Sequence, residues 1–243
     1  NIGSTLVPLP APDGKLTPAI IEHQLTFIGN VHHTQPRVIS VSQSTELGTI
    51  YSRKELKALA DFAHTNDMYL HVDGARISNA VAALGCTLKE ATADCGVDIM
   101  SFGGTKNGLM IGEAILIFNK ELRKHAPFYH KQTAQLFSKN RFIAAQFKAL
   151  LSNDLWKRMA AHSNRMAQLL ANETGNLEGV TITQKVQANA VFAIIPKHAV
   201  EPLRSAFRFY DWNAATGELR WMCSFDTTEE DVLNFVTTLK SLL

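Results

Sequence analysis

Apolar positions in the first half of the chain recur with two different periods. Residues 37–42 (RVISVS) alternate like a strand, and short apolar runs from Met68 to Asp73 and from Val97 to Phe102 have strand length and character. Between the first two lies Ser52-Arg53-Lys54-Glu55, the order of a capping box. Leu56, Leu59, Ala60 and Ala63 follow at helical spacing, a stripe able to pack on a sheet. That helix ends near Asn66-Asp67, and a second helical stretch, Arg76 to Ala83, is stopped by Gly85. Further upstream, Thr17-Pro18 marks a helix start, with Thr17 as N-cap and Pro18 at the first helical position. Strands separated by helices of this length predict βαβ units and a parallel sheet.

From about Pro127 the pattern changes. Long helices are predicted over Gln132 to Leu151 and Leu155 to Thr174, with Gly175 as the stop. Strand candidates follow at Val180–Thr183, Ala190–Ile195, Phe207–Tyr210 and Leu219–Cys223. Asp226 with Glu229 predicts a cap and box for a last helix to about Leu242. The tail is α+β in character, so a boundary is placed near residues 120 to 130, dividing the chain into 1–125 and 126–243.

Composition narrows the function classes. The 243 residues are 46% hydrophobic and 19% charged, enough to bury a substantial core. With 24 basic and 22 acidic side chains the net charge is only +2, so nothing points to nucleic acid or an anionic membrane. No apolar run reaches the roughly 18 residues of a membrane-spanning helix. Cys86, Cys95 and Cys223 make an odd set without a CxxC pair or metal-ligand spacing. That argues against a disulfide framework and against a metal site, and fits a reducing cytoplasm. The chain starts at Asn1 without a methionine or a signal-peptide layout, and a processed or partial chain is the expectation.

Two segments carry the candidate chemistry. In His71-Val72-Asp73-Gly74-Ala75-Arg76 a carboxylate falls at the carboxyl end of a predicted strand, the end where ligands bind in open parallel sheets. The alternatives are that Asp73 only caps the next helix and that Arg76 is a surface ion-pair partner. In Ser101-Phe102-Gly103-Gly104-Thr105-Lys106-Asn107-Gly108 three glycines bracket one lysine at the end of another strand. A partly desolvated lysine there would have a lowered pKa and be nucleophilic toward a carbonyl; the alternative is a solvated lysine on a glycine-rich loop. The order GxxxxGK[ST] of a phosphate-cradling loop is absent. Taken together, an aspartate at one strand end and a lysine at another, positions 73 and 106, form the arrangement expected where a lysine Schiff base holds pyridoxal 5′-phosphate and an aspartate meets its pyridinium nitrogen.

HVDGAR followed by VDIMSFGGTKNG, with SQSTELGTIYS upstream and LRWMCSFDTTEEDV near the end, resembles the low-specificity L-threonine aldolases of the β-eliminating lyase group. The resemblance runs essentially from Asn1 to Leu243. It implies an α/β, PLP-dependent transferase-like fold (aminotransferase fold type I), with a mostly parallel sheet, helices on both faces and a smaller α+β C-terminal domain. It also implies that Lys106 forms the internal aldimine, that Asp73 pairs with the pyridine nitrogen and that Arg76 contacts the cofactor ring near its phenolate oxygen. Arg220, in LRWMCSFD, matches the family's arginine for the substrate α-carboxylate; its alternative is a solvent-facing strand residue. The implied reaction is retro-aldol cleavage of L-threonine or L-allo-threonine to glycine and acetaldehyde in a homodimer or homotetramer. The catalytic base is not named by the match.

Members of that group carry a further N-terminal segment with a phosphate-binding turn, a ring-stacking histidine and a hydroxyl near the substrate carboxylate. None of these is located in the sequence. Its nine histidines, His32, His33, His125 and His130 among them, are read as surface or core residues. The expectation is therefore a chain that lacks the first part of its sheet and holds cofactor weakly by itself. Two other functions stay open: a β-eliminating lyase on another amino acid, and an inactive truncated fragment serving as a folding or oligomer module.

Overall fold

The computed structural model describes residues 3–243. Helices and strands follow in the order α1 (Pro18–Ile21), β1 (Val38–Ser42), α2 (Arg53–Thr65), β2 (Tyr69–Gly74), α3 (Ile77–Leu84), β3 (Ile99–Gly103), β4 (Glu113–Ile117), α4 (Lys120–Arg123), α5 (Ala126–Gln132), α6 (Asn140–Leu151) and α7 (Leu155–Thr174). The remainder is β5 (Thr181–Ile182), β6 (Ala190–Ile194), α8 (Lys197–Ala206), β7 (Tyr210–Asn213), β8 (Glu218–Met222) and α9 (Glu229–Leu242). β1, β2 and β3 lie side by side and parallel, and β4 returns antiparallel beside β3. The second sheet, in the order β5-β6-β8-β7, is antiparallel throughout.

Local chemistry explains most of these elements. Thr17 accepts a hydrogen bond from the Ile20 N–H at the start of α1. At α2 the Ser52 hydroxyl accepts from Glu55 N–H while the Glu55 carboxylate accepts from Ser52 N–H, a complete capping box. The stripe Leu56, Leu59, Ala60 and Ala63 is buried against Ile39, Val41, Leu70, Val72, Met100 and Phe102, every second residue of β1, β2 and β3. Each fully buried leucine in this layer contributes about 1.5–3 kcal/mol. The buried Asp98 carboxylate ties the layer together: it accepts from Leu70 N–H, Asn119 Nδ2 and, across from α2, lies 2.8 Å from His64 Nε2.

Three elements differ from the sequence expectation, and the first is the strand expected over Phe207–Tyr210, which lies at Tyr210–Asn213 because Phe207 closes α8, its N–H donating to Leu203 O. The helix expected over Gln132 to Leu151 is interrupted between α5 and α6, where Ala134 takes a positive φ of 58°. Side chains 131–142 are exposed, so no buried stripe holds a helix across this stretch. The last helix is capped by Thr228 with Asp231 as its box partner, not by Asp226 with Glu229. Ser224 N–H donates to the Thr227 hydroxyl and Thr227 N–H to Ser224 O, a turn that delays the helix by two residues.

A second core forms where Met166, Ala167 and Leu170 of α7 meet Val191, Ala193, Leu219 and Trp221 of the second sheet, with Leu203 of α8 and Phe235 and Leu239 of α9. Helix α7 serves both cores, since its Trp156 belongs to the first. Buried Asn79 of α3 fixes its position by donating to Ser163 Oγ and Asn164 Oδ1, each at 2.9 Å, and Asn164 Nδ2 donates back to Asn79 O. Among the described residues no helix is long and apolar enough to cross a membrane.

Candidate active site

The carboxyl ends of β1, β2 and β3 meet in one row. Register sets Ser42 beside Asp73 and Asp73 beside Ser101. Alternation puts Ser40, Ser42, His71, Asp73 and Ser101 on the face opposite the α2 layer, and none of the five is buried. Asp73 Oδ1 accepts from Ala75 N–H at 2.9 Å and from the Ser101 hydroxyl at 3.2 Å. The N-cap of α3 is Arg76, without a side-chain cap bond, so the Asp73 carboxylate closes a two-residue turn and does not cap the helix. Beside it, Ser40 Oγ and His71 Nδ1 lie 2.8 Å apart; burial holds the His71 pKa below its ordinary value, against the opposing field of Asp73.

Two glycines bring the sequence-predicted segments into contact. A Cβ on Gly74 would stand 2.3 Å from Ser101 O, and one on Gly103 would stand 2.2 Å from Ala75 O. No side chain fits at either position, because the turn after β2 and the end of β3 touch backbone to backbone. That contact sets Asp73 and Arg76 next to the loop that carries Lys106.

Lys106 sits in a single 3-10 turn, Thr105–Asn107. Its neighbours anchor the turn: buried Asn107 donates from Nδ2 to Trp156 O at 2.9 Å, and Thr105 N–H donates to Glu113 Oε1 at 3.3 Å. Lys106 itself is exposed, so the described residues do not supply the partial desolvation expected for it from the sequence. Arg76 is half-buried. Burial holds its pKa below the ordinary value; Glu46 and Asp73 oppose this and Arg220 adds to it.

Arg220 lies on β8, in the second sheet, yet it belongs to the same cluster of charge. Its side chain is only 17% exposed, so it is not a solvent-facing strand residue. It stacks on Trp212 at 4.8 Å and Tyr210 at 5.4 Å, and its Nη1 donates to Glu46 Oε2 at 3.4 Å. A bulge in β7 between Asp211 and Asn213 accompanies the placing of both rings against it. Glu46, Tyr210 and Trp212 join the cluster beyond the residues expected from the sequence. Tyr210 and Trp212 carry a signal, an i, i+2 aromatic pair, but Glu46 has none beyond its place in SQSTELG.

Among the described residues no group of three His, Cys, Asp or Glu side chains could hold a metal ion, and Cys86, Cys95 and Cys223 form no disulfide.

Comparison with known proteins places this geometry. A low specificity L-threonine aldolase of a Pseudomonas species is 41% identical over 242 residues, covering 99% of this chain and 70% of the relative. The low specificity L-threonine aldolase of Pseudomonas aeruginosa is 42% identical with the same coverage. The solved structure of Leishmania major threonine aldolase superposes with a TM-score of 0.91 at 31% identity, covering 99% of this chain and 71% of that one. The fold is accordingly the PLP-dependent transferase-like α/β fold with a mostly parallel sheet. Residues 2–197 match the family described as "Beta-eliminating lyase", and with relatives two-fifths identical along nearly its whole length this chain belongs to the β-eliminating lyase family.

Proposed function

We propose that this chain is a pyridoxal 5′-phosphate-dependent aldehyde-lyase that cleaves β-hydroxy-α-amino acids, converting L-threonine or L-allo-threonine to glycine and acetaldehyde. The observation that carries the reading is the backbone contact at Gly74 and Gly103, which joins a carboxylate, an arginine and a lysine at the carboxyl edge of neighbouring parallel strands. The names of the Pseudomonas and Leishmania relatives supply the substrate class.

The residues present fit the cofactor by their chemistry. Lys106 offers the amine that would hold its aldehyde carbon, Asp73 an exposed carboxylate for its pyridine nitrogen and Arg76 a guanidinium for its phenolate oxygen. When bound, pyridoxal phosphate supplies the electron sink that lets the Cα–Cβ bond break. Asp73 holds a proton at the pyridine nitrogen, since an ionised carboxylate favours the charged form of its neighbour. The Ser101 hydroxyl and Ala75 N–H fix the direction of that carboxylate. Arg220 grips the substrate α-carboxylate with its planar fork, and the two aromatic rings limit how far the fork turns.

In this reading residues 1–125 hold the cofactor and 126–243 supply the connecting helices and the small domain. The active form is a homodimer or homotetramer, supported by the exposed apolar side chains Met110, Ile111, Ile115, Phe128, Tyr129 and Phe142. Unpaired cysteines fit a reducing compartment such as the cytoplasm. The test is incubation with pyridoxal phosphate and L-threonine while glycine and acetaldehyde are followed. Equal amounts of both support the proposal; ammonia and a keto acid in their place would overturn it in favour of β-elimination.

A further inference from the structure

Residues 45–48 form a rigid turn that reaches from the first sheet to the second. Gly48 N–H donates to Thr45 O and Thr45 N–H to Thr49 O, each at 2.9 Å, and the two threonine hydroxyls lie 2.7 Å apart. Thr45 and Thr49 are buried, which leaves Glu46 standing at the exposed crest. Gly48 lies against β6: a Cβ there would be 3.4 Å from Ala190 Cβ and 3.6 Å from the Phe192 ring. Phe192 is the register partner of Arg220, so the turn delivers Glu46 to Arg220 across 174 positions of sequence.

The contact it makes is a poor one for both groups. Glu46 is 59% exposed and meets the guanidinium through one oxygen at 3.4 Å, while Arg220 Nε is buried without a hydrogen-bond partner among the described residues. A carboxylate on arginine reaches its best geometry with two shorter parallel bonds. Glu46 also lies in the field of Arg76, so its charge faces two guanidinium groups.

We propose that Glu46 occupies the carboxylate seat on Arg220 while the protein is free, and that it leaves when the α-carboxylate of an amino acid takes that seat. The inference rests on the reading of Arg220 given above. Glu46 offsets the mutual repulsion of Arg76 and Arg220 in the empty site, and its own hydration makes release easy. Ion pairs of this exposure contribute up to about 1 kcal/mol, so the competition weakens carboxylate binding by roughly two- to five-fold.

The experiment uses sodium acetate as the probe and tryptophan emission as the readout, because Arg220 stacks on Trp212. Parent, Glu46→Gln, Arg220→Ala and Trp212→Phe proteins are titrated with acetate against sodium chloride at equal ionic strength. The expected result is half-saturation of the Glu46→Gln protein at roughly two- to five-fold less acetate than the parent, with no acetate-specific response in the other two. Equal or weaker acetate binding by Glu46→Gln, or an equal response to chloride, would overturn the proposal. No cofactor is needed for this titration, so failure of the lyase reading shows separately, as absence of acetaldehyde from threonine. An acetate response that persists in Arg220→Ala would instead remove the carboxylate role of Arg220.

Discussion

Asp73 illustrates how little of a site lies in one side chain. Its Oδ1 is engaged by Ala75 N–H and Ser101, and the row of Ser42, Asp73 and Ser101 exists only because three strands end in register. Asp73→Asn keeps the shape but cannot hold a ring proton. The expected outcome is threonine cleavage lowered by about 10²-fold or more with cofactor absorbance retained; near-parental turnover would return Asp73 to a turn-closing residue. For Lys106, borohydride treatment of the cofactor-loaded protein is expected to attach the cofactor to the peptide containing that lysine, read by mass spectrometry. Label at another lysine would remove the central assignment. Arg220→Ala is expected to weaken glycine binding by about 1.5–3 kcal/mol, measured by spectral titration, with cofactor content unchanged. Asp73, Arg76 and Lys106 were legible in the sequence because each sits at a strand end marked by glycine, a local signal. Glu46 was not, because its partner lies in another sheet.

At the level of elements, the close approach of Gly103 to Ala75 makes a sharp test. Gly103→Ala places a methyl group into a backbone oxygen, and overpacking of this kind costs about 1–3 kcal/mol. Thermal unfolding is expected to fall by about 2–4 °C for each kcal/mol, together with loss of cofactor binding. Ser52→Ala removes the α2 cap and is expected to cost about 1 kcal/mol. It also alters the acid limb of stability. Burial of Glu55 raises its pKa, but the bonds from Ser52 and the Lys15 ammonium outweigh it, so the folded carboxyl titrates below its ordinary value. A depressed folded pKa contributes stability above the unfolded value of about 4.3, and that stability is lost as pH falls through the folded value. The parent is therefore expected to lose stability below about pH 4.3 more steeply than Ser52→Ala in denaturant titrations. Both capping boxes obey side-chain rules of one turn's range, yet only the box at α2 was placed correctly. The start of α9 was displaced by the turn that Ser224 and Thr227 form.

For the whole molecule, the exposed stretch around α5 and the start of α6 separates the two cores, while α7 runs through both. Brief trypsin treatment is expected to cut first near Lys124 or Lys131, leaving both sheets intact; first cleavage at Arg220 within β8 would argue against the division at residue 125. The sequence by itself determined the parallel strands, the helices that pack on them and the α+β character of the tail, and it marked Asp73, Arg76 and Lys106 by local signals and Arg220 by resemblance, because periodicity, caps and glycines act over a few residues. The tertiary structure alone decided which of these groups share a space. Backbone contact at Gly74 and Gly103 joins two segments about thirty positions apart through the pairing of β2 with β3. The approach of Glu46, Arg76 and Arg220, between the stacked rings of Tyr210 and Trp212, depends on how the second sheet docks against the 45–48 turn. Docking is set by burial and shape over whole surfaces, and no local pattern in the chain encodes which side chains will meet there.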